Sequence, residues 1–169
     1  LRSSGSNDNW DLRIIPSGSS TTVGRMELRI NNSDGSSGAI GSNAITMSTD
    51  YIDNINNNRF FNVLLQRQYV TASYEATSAL TQSYHMFIGR KNQDRIQDIQ
   101  HISMSSTSSF ANKNYMTSSG LPSNNLFIGE SITGSIAQVR AWDSYISMSK
   151  FKQHILNYNC VVAETATAP

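Results

Sequence analysis

Four glutamates, three histidines and one cysteine carry much of the reactive side-chain chemistry that these 169 residues offer. Glycoside hydrolysis needs two carboxylates facing each other across a cleft, one of them held protonated by its surroundings. Glu27, Glu75, Glu130 and Glu164 are scattered singly along the chain. Asp50 and Asp53, in Thr49-Asp50-Tyr51-Ile52-Asp53, are the nearest acidic pair outside the turns, and their odd spacing puts them on opposite faces of a strand. Twenty-seven serines without a Gly-x-Ser-x-Gly elbow identify no nucleophile. His85, His101 and His154 are far apart in sequence with no His-x-x-x-His pair, so they read as strand-face or surface histidines rather than metal ligands. Cys160, alone, makes neither an internal disulfide nor a cysteine-based zinc site. The expectation is a non-enzymatic chain: no catalytic residue, no cofactor-binding residue and no metal-ligating residue.

The elements that must position these side chains are mostly strands. Trp10-Asp11-Leu12-Arg13-Ile14 and Arg25-Met26-Glu27-Leu28-Arg29-Ile30 alternate apolar with charged, the period of a half-buried strand. The turn cluster Pro16 to Ser20 between them predicts an antiparallel pair, with Trp10, Leu12, Ile14, Met26, Leu28 and Ile30 inward. Glu27 is then expected on the solvent face, paired locally with Arg25 and Arg29. Asn31 to Gly38 is a dense turn signal around Asp34-Gly35, followed by a strand near Ala44 to Met47. Arg59 to Arg67 is apolar on both faces and predicts a central, doubly covered strand. Tyr84 to Gly89 and Arg95 to Met104 form the next strand pair, then a hydroxyl- and amide-rich loop runs to Asn125. Leu126 to Gly129 starts the last ordered stretch, and Gly134 to Trp142 predicts a strand with Val139 and Ala141 inward. Met148, Phe151, Ile155 and Tyr158 recur at helical intervals behind Ser147 or Ser149 as N-cap, with Lys150, Lys152 and His154 on the solvated face. About eight to twelve short strands and one helix make an all-β, antiparallel two-sheet sandwich with a short C-terminal helix.

Composition bounds the partners. The chain is long enough for one packed domain, and 13 Lys and Arg against 12 Asp and Glu give a net charge of +1. So weak a field steers neither nucleic acid nor anionic lipid. Charged residues make up 15%, and 27 Ser with 17 Asn supply the polar surface in their place. The longest apolar run, Cys160 to Ala163, is far short of the roughly 20 residues that span a bilayer, which predicts no membrane insertion. Residues 1–159 read as the domain and 160–169 as a linker or tail, with both ends cut from a longer chain.

The run from Leu126 to Asp143, with Ile128-Gly129, Gly134-Ser135-Ile136 and Val139-Arg140-Ala141-Trp142, resembles the C-terminal signature of laminin-G-like, concanavalin-A-like jelly rolls, also seen in pentraxins. Ser147 to Tyr158 supplies the helix that follows in that family. Asn57 to Arg67 is similar to the strand in which an aromatic, usually Trp, precedes an apolar run, with Phe60 in the Trp position. Thr81 to Gly89 resembles the strand after it, so the likeness covers most of 59–158. The ending from Ser147 to Asn157 resembles laminin-G-like domains within large structural proteins of tailed bacteriophages, particularly those of marine cyanobacteria.

This resemblance implies a jelly-roll module of a larger virion protein, in a decoration, tail or fibre-associated position. Its partners would be other virion structural proteins or copies of itself, with adhesion to host cell-surface glycans as a further role. The alternative localisation is secreted or cell-surface. A calcium-assisted lectin is the alternative function, since such domains often hold calcium at the sandwich rim, and Asp34, Asp50, Asp53, Asp94 and Asp98 are the loop-type carboxylates here. An Asp in a turn also serves its own backbone hydrogen bonds. Tyr51, Tyr69, Tyr74 and Tyr115 would supply a sugar platform, while Trp10 and Trp142 read as packing residues. A glucanase-like hydrolase is the third reading, and the Glu-x-Asp-x-x-Glu strand of those enzymes has no counterpart in this chain. Asn31-Asn32-Ser33 matches a glycosylation sequon, which has no meaning in a bacterial virus host.

Overall fold

The computed structural model describes residues 2–4, 8–30, 45–55, 59–69, 82–106, 125–129, 134–142 and 144–157. Among them are eight strands and one helix: β1 (Arg2–Ser4), β2 (Asp8–Pro16), β3 (Gly24–Ile30), β4 (Ile45–Ser48), β5 (Asn62–Tyr69), β6 (Gln82–Asn92), β7 (Arg95–Ser106), β8 (Asn125–Phe127) and α1 (Met148–Leu156). One sheet has the order β4-β3-β2-β1-β8 and the other β5-β6-β7, every neighbour antiparallel. The protein is an all-β two-sheet sandwich with one short C-terminal helix.

β2 and β3 form the expected antiparallel pair, with Trp10 opposite Ile30, Leu12 opposite Leu28 and Ile14 opposite Met26. The loop between them is tied by Ser20, whose Oγ accepts from the Val23 N–H at 3.0 Å, and Gly18 takes φ +54°. Trp10, Leu28, Ile30 and Met47 pack against Tyr84 and Met86 of the second sheet, and Met26, Ile52 and Ile55 against Ile88. These contacts are the sandwich core. Ile14, expected inward, is instead exposed at the far end of its strand.

Three further expectations are corrected. The central, doubly covered strand is β6: Tyr84, Met86 and Ile88 face the first sheet, while Phe87 packs with Ile146, Phe151 and Ile155 beneath α1. The apolar run around Phe60 and Phe61 instead leads into β5, which borders its sheet among the described strands and is half-buried. Gly134 to Trp142 forms no strand, and Val139 is 53% exposed with Ala141 also outward. Alternation produces a strand only where a neighbour accepts the backbone; here Trp142, packed beside Phe87, Ile146 and Phe151, anchors the segment by its end. Glu27, finally, is 4% exposed. Arg13, opposite it in register, donates from Nε to Oε1 at 3.0 Å, and Arg25 and Ser48 donate to Oε2 at 3.3 and 3.2 Å. The long arginine stems close over the carboxylate, which is buried while both guanidinium side chains stay partly in water. Arg29 turns to Asp11 instead, its Nε donating to Oδ1 at 2.9 Å.

Ser147 caps α1, accepting from the Lys150 N–H at 3.2 Å. Phe151 and Ile155 are its buried residues, and Gly89 lets it settle, since a Cβ there would lie 2.6 Å from Ile155 Cδ1. Tyr158 lies outside the described residues.

Candidate functional site

On the outer face of the second sheet, side chains from three strands line up in two rows. Gln66, His85 and Ser103 form one, Leu64, Phe87 and His101 the other. α1 covers the apolar end, with Phe151 5.7 Å from Phe87 between ring centroids. The polar end is left beside Tyr145, which meets His85 edge to face at 5.9 Å. The segment carrying Tyr145 is clamped by Gln66: its Nε2 donates to the Ile146 carbonyl and its Oε1 accepts from the Ile146 N–H, both at 3.0 Å.

His85 and His101, separated by 16 residues, are brought into contact here. Nδ1 of His85 stands 2.9 Å from Nε2 of His101, and the His101 ring lies on Phe87 at 4.1 Å, nearly parallel. A nitrogen-to-nitrogen hydrogen bond needs one protonated and one bare nitrogen, so at least one imidazole of the bonded pair is neutral. Burial, then the nearby His101, push the His85 pKa below the ordinary imidazole value. His101 is exposed. The expectation of isolated histidines is therefore corrected for this pair.

The cause is a β-bulge. The two-residue loop Gln93-Asp94 joins β6 to β7 with Asn92 opposite Arg95 and Arg90 opposite Gln97. Continued without interruption, that register sets His85 opposite Ile102 and His101 opposite Met86, placing the two histidines on opposite faces. The register shifts between Ile88 and Arg90, where Asp98 takes φ +51°. One extra residue on β7 turns His101 to the same face as His85. Asp98 also forms an ion pair with the buried Arg90 Nε. A positive-φ Asp within an otherwise alternating strand is a signal that sequence alone hides.

The other candidate residues are dispersed. The Asp50 N–H donates to Gln100 Oε1 at 2.8 Å, Asp53 is exposed in the following turn, and Asp94 lies 3.7 Å from Lys91 Nζ at the β6–β7 loop. No group of three His, Cys, Asp or Glu suited to one metal ion occurs among the described residues. Tyr51 is 55% exposed, with the Arg25 guanidinium 5.7 Å from its ring centroid. His154 sits against Trp142, 5.3 Å between centroids, with Arg140 Nη1 3.3 Å from its Nδ1. Burial, followed by the charges of Arg140 and Lys150, lowers its pKa. Asp34, Tyr74, Tyr115, Glu75, Glu130, Glu164, Cys160 and the Asn31 sequon lie outside the described residues, as does the side chain of Tyr69.

Chemically, the two-histidine face offers imidazole nitrogens beside aromatic rings, with the Gln66 amide engaged by Ile146. Compared with family models, with curated proteins and with solved structures, the chain finds no match in any of the three.

Proposed function

We propose that this chain is a non-catalytic, laminin-G-like jelly-roll module of a larger structural protein of a tailed-phage virion. Its work is contact: with neighbouring virion proteins or copies of itself, and with glycans of the host surface. The observation that carries the reading is how the sandwich uses its carboxylates. Glu27 is buried under Arg13 and Arg25, Asp11 is bound by Arg29 and Asp98 by Arg90. These acids hold strands in register, where a hydrolase would set two across a cleft. A surface rich in Ser and Asn and poor in charge is consistent with a particle-borne role.

The exposure of Tyr51 between Asp50 and Asp53 favours a second reading, a calcium-assisted lectin. A glycan array with and without calcium, together with the mass in solution, separates the two. Self-association without calcium-dependent glycan binding is the expected result. Micromolar binding that needs calcium and is lost in Tyr51→Ala overturns it in favour of the lectin.

A further inference from the structure

We propose that the contact between Arg140 and His154 is an acid-sensitive switch that releases the segment 134–142 from α1. His154 Nδ1 lies 3.3 Å from Arg140 Nη1. A guanidinium only donates, so Nδ1 accepts and the imidazole is neutral, its hydrogen on Nε2. That Nε2 is buried and has no hydrogen-bond partner among the described residues. An added proton goes to Nδ1, replaces the accepting lone pair by an N–H and sets two cationic donors against each other. Turning the ring over brings no relief, because both nitrogens of the imidazolium carry hydrogen.

The groups around His154 offer an imidazolium no counterion among the described residues. Arg140 faces it from the segment 134–142, Lys150 from one turn earlier on α1, and Trp142 meets the ring edge-on without charge. From β6, Lys91 adds another cation at the end of the helix, donating to the Leu156 carbonyl at 3.3 Å. Arg140 is itself braced, its Nη2 donating to Gln138 Oε1 at 2.9 Å. The segment depends on this contact because it joins no ladder, and Ile136 and Val139 are exposed along it. Two of its side chains, Arg140 and Trp142, reach α1, and both meet at His154. Charging His154 therefore loosens both at once, while Phe151 and Ile155 keep the helix on β6. Burial, then the two cations, lower the His154 pKa, so the contact is closed at neutral pH and lost as pH falls below about 6.5.

Nuclear magnetic resonance of the isotopically labelled chain between about pH 7.5 and 5 tests this, following the His154 ring and the two tryptophan indole N–H signals with a soluble paramagnetic relaxation agent. Relaxation of the Trp142 indole is expected to rise about twofold or more in step with protonation of His154, below about pH 6.5. The Trp10 indole, in the sandwich core, stays unchanged and reports that the sheets remain folded. His154→Asn sets a non-titrating acceptor close to the place of Nδ1 and holds Trp142 at its neutral-pH value down to about pH 5. Arg140→Leu removes the opposing cation and raises the His154 midpoint, whereas His85→Gln leaves the Trp142 step in place. No step at Trp142 down to about pH 5, the same step in His154→Asn, or a step shared by Trp10 overturns the proposal.

Discussion

Glu27 and His85 both project from strand positions whose neighbours along the chain face the sandwich core, yet each is enclosed by different means. Arginine stems roof Glu27, so its charge keeps hydrogen-bonded partners. Removing that charge in Glu27→Gln leaves the two arginines facing a neutral group. A loss of about 1–2 kcal/mol in urea melts is expected, since the arginines themselves are partly solvated. His85 lies among Phe87, His101 and Tyr145, a setting that favours its neutral form. With the folded pKa below about 6.5, the unfolded chain takes up a proton that the folded chain refuses. Stability is therefore complete above that pH and declines as pH falls from about 6.5 through the lowered folded value. Thermal melts between about pH 7.5 and 5 are expected to show this decline, with a shallower slope in His85→Gln. His154, lowered in the same direction, contributes to the slope that remains.

At the scale of elements, periodicity in the sequence was informative where a segment's partner adjoins it along the chain. The β2–β3 and β6–β7 hairpins and the stripe of α1 follow directly from alternation, turn residues and three-four spacing. Gly134 to Trp142 carries the same alternation without a ladder, because a pattern states which faces are apolar and not whether a strand lies beside it. The histidine pair was hidden for a different reason. Its existence depends on a single inserted residue that reverses the parity of β7, and composition does not mark that residue. Asp98→Val tests the bulge: a β-branched residue disfavours φ +51°, and Arg90 loses its partner. A cost of about 2–4 kcal/mol in chemical denaturation is expected, larger than for Asp98→Asn, which retains the tolerance for that backbone shape.

For the whole molecule, three layers share one central strand. The first sheet packs on one face of β6 and α1 on the other, and among the described residues Met86, Phe87 and Ile88 are the largest fully buried side chains. The all-β class was readable from strand patterns, but the central strand was misplaced because local apolarity in β5 outranked the run in β6. Both segments are apolar on both faces; covering by a distant helix decided between them. The two attachments of β6 are unequal. The sheet-to-sheet core draws on many strands, whereas the C-terminal layer rests on Phe151, Ile155, Ile146 and Trp142, plus the two bonds of Gln66 and one from Lys91 Nζ to the Leu156 carbonyl.

The Gln66 clamp therefore gives the last layer its own latch. A carboxylate in its place still accepts the Ile146 N–H but has no N–H for the Ile146 carbonyl, so half of the latch is undone by one atom. The helix then becomes a cooperative unit that can detach while the sandwich stays folded, a partial opening with its own, smaller free energy. Such a state bares Phe87 and unroofs His85, and a protease acting under native conditions would cut between 144 and 157 long before the sheets yield.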